Sequence, residues 1–283
     1  MRKILVSVSA VAVLLAACAE EPTVGPSGDG GADECAVENL SLIEPGVLTI
    51  ATDSPAYPPW FARNDPSNGK GFEGAVAYAV AEEMGFSPAQ VTWVVEPFNK
   101  SYAPGPKDFD FDINQISITP KRAENVTFSE GYYDVNQALI ALADSPVASA
   151  TSIASLKDAK LGAQVGTTSL AYITATIQPS EDPYVYDTTN DAKSALEAGQ
   201  IDGIVVDLPT AFYITAVEIP NSSVVGQFPA DPANPEQFGL LLEQDSPLVD
   251  CVNRAIEALK ADATLQAIQD QWLSEKVQAP VLQ

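Results

Sequence analysis

The sequence predicts an α/β fold of two units, each a mostly parallel sheet flanked by helices, joined by two crossing strands. Three observations carry this reading. Short apolar, β-branched runs alternate with stretches at helical spacing, the pattern of a helix-covered sheet. That grammar restarts after residue 142, giving two units of about a hundred residues each, an ordinary domain size. Two long strand-like passages, near 136–142 and 237–243, offer places where the chain crosses between the units.

In the first unit, "GVLTIATD" reads as a strand over 47–52 with Asp53 at its end. A Pro-rich loop follows, carrying Tyr57 and Trp60. "EGAVAYAVAEEMGF" is a helix with Val76, Val80 and Met84 on one face and Gly85 as its stop. "VTWVVE" is a second strand and "FDINQISI" (111–118) a third. The acids of "DFDFD" (108–112) are read as part of this extended segment, not as a calcium loop.

In the second unit, a strand begins near Asn136, and "AKLGAQVGTT" is another that runs into Gly166 and two threonines. "NDAKSALEAG" is a helix closed by Gly199, "IDGIVVD" a strand ending in Asp207, and "PTAFYITAV" the helix after it. "QFGLLLE" leads to two terminal helices. Leu248, Val252, Ile256 and Leu259 share one face of the first, and Leu265, Ile268 and Trp272 share one face of the second. Trp60 and Trp272 read as core.

Charge and composition narrow the function. The net charge is −24, with 14 Lys and Arg against 38 Asp and Glu. That balance argues against nucleic acid, which needs clustered cations, and against docking on anionic lipid through a basic face. The chain has no histidine, which removes a His-based catalytic triad and a His-ligated zinc site; no metal or cofactor is expected.

At the N-terminus, Arg2 and Lys3 precede an apolar run over 4–17, too short to span a bilayer but suited to a signal segment. The run ends in Leu15-Ala16-Ala17-Cys18, which resembles a bacterial lipobox in which Cys18 is lipidated and becomes the first mature residue. An ordinary signal peptide is the alternative. Residues 19–34, acidic and rich in Gly and Pro, read as a disordered tether. The two remaining cysteines, Cys35 and Cys251, suggest one disulfide in an exported protein, with two buried thiols as the alternative.

Six segments, in order and at suitable spacing, carry a family likeness: "GVLTIATDSPAYPPW", "GFEGAVAYAVAEEMGF", "ISITPKRAENVTFSEGYY", "DAKLGAQVGTTSLAY", "ALEAGQIDGIVVD" and the paired terminal helices. From about 47 to 275 the chain resembles the extracytoplasmic solute-binding proteins of polar amino-acid ABC transporters, bacterial solute-binding protein family 3. The resemblance implies the two-lobed periplasmic-binding-protein fold. One lobe would take 40–136 plus 237–277, and the other 137–236. Ahead of them would lie a signal peptide over 1–17, then the lipidated Cys and flexible tether over 18–39.

The resemblance also implies roles. Arg122 would clasp a ligand α-carboxylate, Ser117 would add a backbone and hydroxyl contact, and Thr167 and Thr168 would complete the carboxylate cradle. Asp207 would pair with the α-ammonium, although before "LPTAFY" it also reads as a helix N-cap. Tyr57 and Phe98 would pack on the ligand, and Asp53 would meet its side chain. Asn114 and Gln115 stand where the family usually has a small pair, so the resemblance leaves the side-chain preference open, between polar and basic. The implied partners are a free amino acid, ABC permease subunits and the outer face of a membrane through Cys18; a monomer is expected. Two alternatives are an enzyme resembling cyclohexadienyl dehydratases, with Glu73 or Asp53 as acid or base, and a sensor for a separate signalling protein.

Overall fold

The structure is a computed structural model that describes residues 33–273 and 279–283. Cys18, the signal segment and the tether as far as residue 32 lie outside the described residues.

The first lobe opens with β1 (Leu48–Thr52), every residue of which is buried, as a central parallel strand requires. Helix α1 (Phe72–Glu83) buries Phe72, Val76, Ala77, Val80 and Ala81 against the sheet, so its apolar face is wide. Then come β2 (Val91–Val95), the short helix α2 (Phe98–Ser101), β3 (Phe111–Asp112), the single-turn helix α3 (Pro120–Ala123) and β4 (Val126–Asp134). The expected strand over 111–118 is interrupted. Only Phe111 and Asp112 pair as a strand, because Gln115 turns left-handed at φ 48° and breaks the extended run before Ser117 bridges to Phe238.

The second lobe holds β5 (Gln137–Leu142), β6 (Leu161–Gln164), α4 (Thr168–Tyr172), β7 (Tyr184–Tyr186), α5 (Thr189–Glu197), β8 (Gly203–Asp207), α6 (Leu208–Tyr213) and β9 (Ser222–Gln227). The chain then returns through β10 (Gln237–Glu243), α7 (Val249–Ala261) and α8 (Thr264–Trp272) to the first sheet and its core.

The two sheets repeat one plan. The first runs β2-β1-β3-β10-β4 and the second β7-β6-β8-β5-β9. In each, three parallel strands are continued by an antiparallel strand, β10 against β3 and β4, β5 against β8 and β9. The chain passes between sheets at Val135 and Asn136, and again through 228–236.

Trp60 sits at the centre of the first core, fully buried and edge-on to Phe72, Tyr133 and Phe238. Trp272 packs against the same cluster. Two segments differ from expectation. Residues 33–39, assigned above to the tether, are folded. They carry a 3-10 turn at Val37–Asn39, Val37 packs on the first core, and Asp33 meets Arg254 at 3.2 Å. Their anchor is the disulfide between Cys35 and Cys251 on α7, with 5.4 Å between the Cα atoms. At the other end, Leu282 is fully buried in the second lobe, and Val281 bridges to Gln227.

Candidate functional site

Parallel strands present the loops at their carboxyl ends to a common crevice. Here the two sheets face each other that way, and a cavity lies between them. Asp53 follows β1, Phe98 follows β2 and Asn114 and Gln115 follow β3; with Tyr57 and Arg122 they form the first-lobe wall. Thr167, Thr168 and Ser169 follow β6, Thr189 opens α5, and Asp207 ends β8; with Gln164, Val205, Val206 and Thr210 they form the second. Nine of the ten expected site residues therefore share one cavity. Ser117 is the exception. It is buried behind the wall, and its hydroxyl donates to Glu236 Oε1 at 2.6 Å.

Arg122 is placed by α3, whose N-cap Thr119 accepts from the Arg122 amide. Its guanidinium lies 5.3 Å from the ring centre of Phe98 and 4.8 Å from that of Tyr102, and is 6% exposed. The group is no surface charge. One amine donates to the Ser117 carbonyl at 2.7 Å, and the other reaches the opposite lobe and donates to the Gly166 carbonyl at 2.9 Å. Burial lowers its pKa, but a guanidinium stays cationic.

Asp207 opens α6 without a side-chain capping bond, so the carboxylate is not spent on the helix. It accepts from Gln137 Nε2 at 2.7 Å across the β5–β8 pair. Burial, then repulsion from Glu236, raises its pKa to about 8. Gln137 also accepts from the Ser169 hydroxyl at 2.6 Å and approaches Glu236 at 3.2 Å. The composite of Gln137 and Glu236 at the two chain crossings escaped the sequence reading. Only the topology brings those positions, far apart in sequence, beside Asp207.

The remaining residues divide by what their polar atoms are doing. Asp53 accepts from the Ser54 and Phe98 amides at 2.6 and 3.2 Å, which fixes the start of α2. The Tyr57 ring reaches across to Lys193, 5.6 Å away, itself paired with Glu218 at 2.8 Å; burial first, then Asp53, raises the phenol pKa to about 12. The Thr167 hydroxyl caps α4, accepting from Leu170 and donating to the Gln164 carbonyl at 2.7 Å, so only its backbone is left for a ligand. The Thr168 hydroxyl lies 3.3 Å from that of Ser117.

Glu73 does not line the cavity. It is fully buried and accepts from the Gln115 amide at 2.7 Å, from the Gln115 side chain, and from the Tyr132 hydroxyl at 2.5 Å. Burial is the main cause of its pKa rising to about 7. Its bonds hold Gln115 in the left-handed turn. Gln164, Ser169, Thr189 and Thr210 were missed as lining residues. Thr210 alone carried a signal, one helical turn after Asp207. Its hydroxyl accepts from Trp60 Nε1 across the lobes at 2.9 Å.

Chemically the cavity offers a cation on one wall and a carboxylate on the other, with aromatic rings between them and water. Among the described residues there is no acidic or sulfur cluster able to hold a metal ion, and no helix long and apolar enough to cross a membrane.

The model for bacterial extracellular solute-binding proteins, family 3, matches residues 48–275. The ABC transporter arginine-binding protein 1 of Escherichia coli K12 is 29% identical over 232 residues, 78% of this chain and 89% of that one. The ABC transporter glutamine-binding protein GlnH of Bacillus subtilis 168 is 26% identical over 279 residues, 96% of each chain. An ancestral arginine-binding protein solved with arginine bound superposes with a TM-score of 0.68 at 25% identity, over 81% of this chain and 99% of that one. These relatives are amino-acid-binding proteins, and the solved fold is the two-lobed one described above.

Proposed function

Because the chain belongs to the bacterial extracellular solute-binding proteins, family 3, we propose that it is a lipid-anchored receptor that captures a polar or basic amino acid between its lobes and delivers it to an ABC permease. The observation that carries this reading is the placement of Arg122 and Asp207 on opposite walls of one cavity. A free amino acid is a zwitterion. Its carboxylate suits the planar fork of a guanidinium and its ammonium suits a carboxylate. A ligand that uses both must bridge the lobes, so binding and closure become one event. Ser169 and the backbone of Thr167 and Thr168 sit at the start of α4, where amide groups lack partners inside the helix and suit the carboxylate.

The relatives named for arginine and for glutamine support the ligand class. The lipid anchor rests on the Leu15-Ala16-Ala17-Cys18 segment. Replacing Cys18 by Ala is expected to release the protein from the membrane fraction, and mass spectrometry of the native protein should show acyl chains on residue 18.

A thermal-shift screen against the twenty amino acids tests the receptor reading. A ligand at about 100 times its dissociation constant adds about 2.7 kcal/mol of stability, a readily measured shift. The reading fails if no amino acid moves the transition. Turnover of prephenate or arogenate would instead favour the enzyme reading. Against that reading, the buried acid Glu73 is bonded to Gln115 and Tyr132, away from the cavity.

A further inference from the structure

Four buried side-chain polar atoms lack a hydrogen-bond partner among the described residues, and they belong to neighbouring positions: Thr52 Oγ1, both oxygens of Asp112, and Asn114 Nδ2. Thr52 ends β1, Asp112 ends β3 where it is registered with Ala51, and Asn114 follows two residues on. Asn114 lines the cavity, is 7% exposed and leaves its amide donor unspent on that wall. Asp112 lies just behind, fully buried.

An unpartnered buried carboxylate is costly, and an apolar side chain would suit this strand better. The groups around Asp112 relieve it little: the Ser101 hydroxyl favours its ionised form with the smallest effect there, and Lys107 feels its charge without bonding it. Glu73 on α1, Glu96 after β2 and Asp53 after β1 all repel its ionised form. The Ser101 hydroxyl on α2 is spent on the Phe98 carbonyl at 2.9 Å. Glu96 is paired with Lys100 at 2.9 Å. Lys107, in the loop before β3, donates to the Ala103 carbonyl at 2.5 Å. Three acids, Asp112, Glu73 and Glu96, therefore stand behind the first-lobe wall and Asp53 on it, while the cation of that wall, Arg122, is engaged with the Ser117 and Gly166 carbonyls.

We infer that Asp112 is a specificity-determining residue: it can ionise behind Asn114 and Asp53 in answer to an incoming cation, so the cavity prefers an amino acid whose side chain ends in a cation over a neutral one of similar length. This inference rests on the amino-acid-receptor reading. The acid acts without contact, because charge interactions carry across several ångström in a poorly polarisable interior. A neutral carboxamide tip gains little from that field. Burial raises the Asp112 pKa well above the usual carboxylate range, and an arriving guanidinium or ammonium favours its ionised form. Binding a basic amino acid should therefore expel a proton that binding glutamine does not.

Calorimetric titration of the mature chain with arginine, lysine and glutamine tests this, with Asp112→Asn and the apolar Asp112→Val beside the wild type. The wild type is expected to bind arginine or lysine more tightly than glutamine. Either variant should lose tenfold or more for the basic ligand while staying within about twofold for glutamine. Proton release, read from binding heats in buffers of different ionisation enthalpy, should shrink with it. Asp112→Val should also melt above the wild type, the opposite of what a structural role for the acid implies. An arginine-to-glutamine ratio unchanged by both variants overturns the inference alone. A wild type that prefers glutamine does the same. A wild type that binds no amino acid overturns it together with the receptor reading.

Discussion

Arg122 and Asp207 are held in bonds within the protein that a ligand reaching them would share or replace. The guanidinium spends donors on two carbonyls, one in each lobe, and has five N–H groups in all. Arg122→Ala thus removes a contact between lobes and, on the proposed function, the clamp on the ligand carboxylate. Losing one partner of a buried charge pair costs about 2–5 kcal/mol, so amino-acid affinity should fall about 30-fold or more by calorimetry. Arg122→Lys should recover little, because an ammonium lacks the planar fork. Asp207 gives a pH signature. Its pKa is raised to about 8 by burial, so at pH 6 Asp207 carries a proton, which on the proposed function the ligand ammonium must displace. Affinity should rise with pH, by up to tenfold per unit, and level off near pH 8; Asp207→Asn should flatten that slope. Stability of the empty protein runs the other way. Asp207 and Glu73 hold protons in the fold, up to about 8 and about 7, that the unfolded chain releases near 4. Their contribution is full below about pH 4 and is lost as pH rises through 4 to 8. Arg122 and Asp207 were legible in the sequence through the segments that resemble the family, "ISITPKRAENVTFSEGYY" and "ALEAGQIDGIVVD". Their tuning was not, because Gln137 and Glu236 reach Asp207 only through the topology.

The left-handed turn between β3 and α3 is the element on which the first-lobe wall depends. A run reading "FDINQISI" has the β-branched content of a strand, and nothing local in it demands a break at Gln115. The break is imposed by a buried acid 42 residues earlier. Glu73 takes the Gln115 amide, the Gln115 side chain and the Tyr132 hydroxyl, offsetting the strain of a positive φ in a residue with a side chain. This is why periodicity recovered the long elements, such as α1 and α7, and overran β3: tertiary bonds, not propensity, end it. Glu73→Ala would leave those donors buried and unpaired at about 1–3 kcal/mol each. The expected outcome is a lower denaturation midpoint in urea together with weaker amino-acid binding, since Gln115 and Asn114 would lose their register on the wall. An unchanged affinity in a destabilised protein would show that the turn supports the fold without shaping the site.

The whole molecule is held in a closed arrangement by its own contacts. Trp60 reaches Thr210, Arg122 reaches Gly166, and the Ser117 and Thr168 hydroxyls meet, each pair spanning the two lobes. Behind them the chain crosses at residues 135–136 and 228–236, and again between α8 in the first lobe and residues 279–283 in the second, so opening would disturb three connections and leave both sheets intact. Two crossings were expected within the strand-like passages near 136–142 and 237–243; they fall just before them, and those passages are β5 and β10 within the sheets. The latch was not legible, because Trp60 reads as core and Gly166 as the end of a strand run, and each is also an interlobe contact. Gly166 separates closure from folding. Its φ of 77° favours glycine, and a Cβ there would collide with Asn99 and Tyr102 of the facing lobe. That collision exists only while the lobes are shut. The backbone penalty, about 1–2 kcal/mol for a left-handed non-glycine residue, is felt in either state. Gly166→Ala should therefore lower the melting temperature of the empty protein modestly, yet weaken ligand binding by considerably more than that penalty accounts for. Small-angle scattering with saturating amino acid should give a larger radius of gyration than the wild type under the same conditions. If the variant binds as tightly as the wild type and contracts to the same radius, the facing side chains yield to a methyl group, and the close approach at Gly166 plays no part in shutting the cleft.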